Sequence, residues 1–192
     1  MAMKRQVADA QRGSLLRIAG WSIAAALLLL PLIAMRFTPE VNWTASDFII
    51  WGIMLGTVGG LFELAVGLSP LPSYRAGFAL ALVGTFLVTW VNLAVGIVGS
   101  DDNPSNQFFF LALLVGVVGA GLARLRAAGM TYAMFSTALA LGIAFVLAEI
   151  SPRDELWVPA SRETMGTGIL ALIFVASALL FRRAAGYSSS SS

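Results

Sequence analysis

Six apolar runs, each about long enough to cross a bilayer, dominate this 192-residue chain and leave little room between them. A helix rises roughly 1.5 Å per residue, so roughly 20 apolar residues traverse the hydrocarbon core. The runs fall at 15–35, 47–68, 74–98, 108–125, 129–150 and 163–181. Hydrophobic residues make up 58% of the chain and charged ones 11%, too apolar a balance for a soluble domain of this size to bury. The expected fold is an all-α integral membrane protein, a polytopic helical bundle of six transmembrane helices. Residues 1–14 precede it as a cytoplasmic segment, 15–183 form one transmembrane domain, and 184–192 form a serine-rich disordered tail.

The first run also has the basic start and apolar core of a signal peptide. It is too long for a signal core, however, and "LIAMRF" is a poor cleavage site, so it reads as a retained anchor. The connections carry helix-start chemistry. Asn103-Pro104 suits an N-cap followed by proline, and Thr44 to Asp47 resembles a capping box. Ser73 is placed to cap the third span, and Ser151-Pro152 with Asp154 to open a short interfacial helix before the sixth.

Charge segregation sets the expected topology. Lys4, Arg5, Arg12, Arg17, Arg75, Arg124, Arg126, Arg182 and Arg183 fall on one side, while only Arg36, Arg153 and Arg162 fall on the other. Because the loops are short, the positive-inside rule puts both termini in the cytoplasm. Acids cluster on the opposite side: Glu40, Asp47, Asp101, Asp102, Glu149, Asp154, Glu155 and Glu163. Trp43, Trp51, Trp90 and Trp157 lie near that outer interface, as aromatic belts do, with Tyr74 and Tyr132 near the inner one.

Few residues offer chemistry. Glu63 is the one carboxylate well inside a span, and an intramembrane acid is a functional candidate because burying it unpaired is costly. It could carry an ion or proton. The simpler reading is an ion pair with Arg17, Arg75 or Arg124. Asn92, nearly two turns below the expected end of its span, should hydrogen-bond to another helix, or else line a polar cavity. "SDDNPSN" reads first as a tight turn satisfying the backbone of the fourth span. Asp101, Asp102 and Asn103 form an oxygen-rich alternative for a divalent cation, without EF-hand spacing.

Glycines form the other pattern. Gly52, Gly56 and Gly60 make a doubled GxxxG, with Gly59 alongside, and Gly116, Gly119 and Gly121 recur in the fourth span. Such spacing lets helix backbones approach closely, within this chain or against another. "GTVGG" from Gly56 echoes "GVVGA" from Gly116, and "ALALVGTF" from Ala79 echoes "ALALGIAF" from Ala138. Both likenesses are short apolar strings that composition alone can produce.

Phosphate loops, dinucleotide fingerprints, nucleophile elbows and zinc-protease motifs are missing from the sequence, as are cysteine and histidine. No cofactor is expected, and a bound lipid or pigment is left open. The arginines read as membrane anchors rather than a nucleic-acid surface.

At "FTPEVNWTASDF", "YRAGFALALVGTFLVTWVNLAVGIVGSDDNPSN" and "AGMTYAMFSTALA" the chain resembles a group of small bacterial inner-membrane proteins. The likeness spans roughly 36–150 and is most distinctive at the W-V-N-L-A-V-G-I-V-G-S-D-D-N-P turn. It implies a multi-pass setting in a bacterial inner membrane and brings no activity or site residues. The expected function is non-enzymatic: a small accessory subunit or scaffold packing against partner membrane helices or its own copies. A small channel or transporter using Glu63 is the alternative.

Overall fold

A computed structural model describes residues 2–151 and 160–189. Six helices fill it: α1 (Ala2–Ala34), α2 (Ala45–Leu68), α3 (Pro72–Ala94), α4 (Gln107–Leu122), α5 (Ala127–Ile150) and α6 (Ala160–Ser189). A short 3-10 turn, Pro104–Asn106, precedes α4. All six helices contain a stretch long and apolar enough to cross a bilayer, and the protein is a multi-pass membrane protein.

Several boundaries differ from those expected. The helix α1 begins at Ala2, so the expected N-terminal segment is largely continuous with the first span. The helix α6 continues to Ser189, beyond the expected end at residue 181 and into the expected tail. Leu71, not Ser73, is the N-cap of α3, and no side chain caps it. Pro72 opens that helix instead, at a position where a missing N–H costs nothing. Ser151 closes α5 as its C-cap, while Pro152, Asp154, Trp157 and the serines 190–192 lie outside the described residues.

By backbone contacts the chain divides into two compact units, Met1–Glu63 and Leu64–Ser192, with the boundary inside α2. In the first unit, α1 and α2 meet through large side chains. Trp21 lies against Gly59, where an added Cβ would come 2.9 Å from the indole Cη2. Leu28 approaches Gly52. Proline 31 sits inside α1 and has no N–H to offer the Leu27 carbonyl one turn back. Trp51 supplies the missing donor from α2, its Nε1–H reaching the Leu27 oxygen at 3.1 Å. In lipid, where water cannot serve, that bond satisfies an otherwise orphaned carbonyl. Thr44 and Asp47 form half of a capping box: the Asp47 carboxylate accepts the Thr44 backbone N–H at 2.6 Å and the Thr44 hydroxyl at 2.8 Å.

The second unit is packed differently. Within it α3 lies on α6, α6 on α5 and α5 on α4, giving the spatial order α3–α6–α5–α4. Small residues bring the backbones close. A Cβ at Gly84 would stand 2.9 Å from the Phe174 ring, and one at Gly77 would stand 3.2 Å from the Ser177 carbonyl. The Ser177 hydroxyl donates to the Gly77 carbonyl at 2.7 Å, tying α6 to α3. Between α4 and α5, Gly116 faces the Thr137 hydroxyl and Gly119 faces Ala133. Phe109, Phe174, Phe181, Leu141, Val88 and Val98 are fully buried among these contacts. At the arginine-rich end Phe181 meets Tyr74 and Phe78 edge-on, and the Tyr74 hydroxyl donates to the Leu125 carbonyl at 2.7 Å.

Candidate functional site

Two polar constellations stand out, one in each unit. The first is built on Glu63. Its Oε2 accepts from Arg17 Nη2 at 2.5 Å, and its Oε1 accepts from Arg17 Nε at 3.2 Å and from Trp21 Nε1 at 2.8 Å. The guanidinium therefore grips the carboxylate in a two-pronged fork, and the indole fixes the same oxygen. Of the three arginines expected near Glu63, Arg17 is the partner. Arg75 instead donates to the Val66 and Ser69 carbonyls, closing the last turn of α2. The pair is not enclosed: the Arg17 side chain is 66% exposed and that of Glu63 is 33% exposed.

The second constellation lies at the acid-rich end of α3 and α6. The helix α3 stops at Ala94, four residues before the expected end, because the chain turns through Gly96 at φ +75°. A side chain there would run into the Ser100 carbonyl, so glycine is required. Asn92 consequently sits in the last turn rather than deep in the span. Its Nδ2 donates to the Asn106 backbone carbonyl in the 3-10 turn at 2.8 Å. Asn106 does the rest. Its Oδ1 accepts the Ile97 and Val98 N–H groups, both at 3.0 Å, and its Nδ2 donates to the Val98 and Ser100 carbonyls. All four capacities of one buried amide are used to fold the loop onto the bundle. From α6, the buried Glu163 accepts the Gly99 N–H at 2.7 Å.

Asp101 and Asp102 are exposed at the tip of that loop. Asn103 caps the 3-10 turn, its side chain accepting the Ser105 N–H at 2.9 Å, with Pro104 next. Among the described residues, no three His, Cys, Asp or Glu side chains gather as a metal site would require.

Of the glycines singled out in α2, Gly52 touches Leu28, while Gly56 and Gly60 have no neighbour within 4 Å of an added Cβ. With Ile49 and Ile53, both more than 60% exposed, they make one stripe along the helix. Gly116 is in tight contact inside the chain, against Thr137, whereas Gly121 is open. Sequence reasoning missed Asn106, Glu163 as a clamp, and the Gly77/Gly84 pair. Gly77 and Gly84 are spaced by one heptad, a visible signal. Asn106 carried no signal beyond being a second amide after the turn.

Comparison with protein-family models, with curated proteins and with solved structures returns no match for the chain.

Proposed function

We propose that the protein is a non-enzymatic subunit of a membrane complex, with the α1–α2 unit as the part that meets partner helices. The observation that carries this is how little those helices bury. Within their apolar windows 6% and 11% of residues are buried, against 33–39% for α3 to α6. Helices that bury so little against each other gain little van der Waals packing from the contact, and packing is what drives association in lipid. The open stripe of Ile49, Ile53, Gly56 and Gly60 has the small-residue spacing that admits a second backbone. The Arg17–Glu63 pair beside it is neutralised internally, so a partner surface need not supply a counter-charge.

Engagement of both Glu63 oxygens favours this reading over an ion or proton path. The charge asymmetry of the loops supports both termini being cytoplasmic. The resemblance described above supports a bacterial inner membrane.

Gentle extraction from the native membrane and mass measurement of the particle test the proposal. The wild type is expected in a particle with defined partner chains, and Gly56→Leu with Gly60→Leu is expected to release it. A wild-type particle holding this chain alone would refute the subunit role. Ion flux in liposomes that Glu63→Gln abolishes would replace it with transport.

A further inference from the structure

A groove of about 800 Å³ runs between α4 and α5, apart from both polar constellations. Its walls are Leu111, Leu114, Val115 and Val118 on α4, with Tyr132 and Ser136 among those on α5. Its floor is kept low by small residues, including Gly119 and Ala133. From Leu111 to Ala123 it covers twelve helical steps, roughly 18 Å. That is close to the hydrocarbon depth of one leaflet, about 15 Å.

One end of the groove adjoins a basic turn. The groove ends at Leu122, Ala123 and Gly129, which bracket the α4–α5 turn bearing Arg124 and Arg126. Both arginines are exposed, and neither has an ion-pair or hydrogen-bond partner for its guanidinium among the described residues. The turn is a Schellman motif. The Leu125 N–H reaches the Ala120 carbonyl and the Arg124 N–H the Gly121 carbonyl. Its left-handed position, at φ +48°, is the place that glycine fills with least strain, yet arginine occupies it. Leu125 follows at φ +57°, its carbonyl held by the Tyr74 hydroxyl. The chain thus keeps an arginine at a strained backbone position, in the turn next to an apolar trough.

We propose that this groove binds an anionic phospholipid, with one acyl chain lying between α4 and α5 and the phosphate held by Arg124 and Arg126. Length, apolarity and charge all match that occupant, and paired basic side chains at a helix boundary are a recurrent means of holding lipid phosphates. None of the groove's lining residues lies on α1 or α2.

The purified full-length protein, equilibrated with equal amounts of phosphatidylglycerol and phosphatidylcholine of the same chain length, would be examined by native mass spectrometry. Wild type should retain phosphatidylglycerol in roughly thirtyfold preference, the scale that two surface charges provide. Arg124→Gly with Arg126→Gln should abolish the preference without loss of thermal stability, because glycine relieves the strained position. Ser136→Phe, which fills the trough from an exposed wall position, should lower retention of both lipids. Equal retention of the two lipids by wild type would overturn the proposal. So would an undiminished preference in the arginine variant, or unchanged retention in Ser136→Phe.

Discussion

The two units solve the same problem, holding helices together in lipid, by opposite means. In α3 to α6 the backbones approach until glycine, alanine and serine are the side chains that fit, as at Gly84 under Phe174 and Gly116 under Thr137. In α1 and α2 two tryptophans and an arginine fork span the gap instead. Close approach gives many dispersion contacts with little side-chain entropy to lose. Contact through long side chains gives a few strong bonds and leaves most of the helix surface uncovered. The α2 glycines at 56 and 60 stay open in this arrangement.

Four substitutions probe that contrast. Asn106→Ala should have the largest effect. It strands three backbone groups of a buried loop, the Ile97 and Val98 N–H groups and the Val98 carbonyl, while the Ser100 carbonyl keeps the Asn103 N–H. Since each unsatisfied group costs about 1–3 kcal/mol, a loss of at least ~3 kcal/mol is expected in unfolding from bicelles. Gly84→Leu drives a side chain into Phe174 and should cost about 3 kcal/mol in the same assay, at the upper end for overpacking. Trp51→Phe keeps the ring but removes the donor to the Leu27 carbonyl. A loss of about 1–2 kcal/mol is expected, together with faster amide exchange around Pro31. Gly56→Leu should be nearly silent in the isolated chain, within about 0.5 kcal/mol, since it meets nothing there. If Gly84→Leu and Gly56→Leu proved equally costly, the division into a closed and an open unit would fail.

Hydropathy made the spans legible because lipid imposes one length and one composition on every crossing segment. The Arg17–Glu63 pair was legible as one of three candidate pairs, since an acid in a span needs a nearby cation. The end of α3 was not, because "VNLAVGIVG" remains apolar past Ala94. Ile97 and Val98 are apolar because they are buried in a loop, not because they continue a helix. The left-handed turn at Gly96 and the hydrogen bonds from Asn106 distinguish the two cases, and those bonds depend on a turn folding back across the bundle. Proline 31 was visible, but its consequence depends on which donor α2 places opposite Leu27. Glycine spacing showed where close approach is sterically possible. It did not show which of those sites the chain itself fills, and Gly59 and Gly84 are filled while Gly56 and Gly60 are not.

The most direct test of the central claim is photo-crosslinking in the native membrane, with the probe placed at Ile53 on the open α2 stripe or at Leu172 on α6. Both positions are similarly exposed, at 64% and 65%. The account predicts a discrete protein adduct from Ile53 and lipid adducts alone from Leu172. Lipid adducts alone from both positions would contradict it.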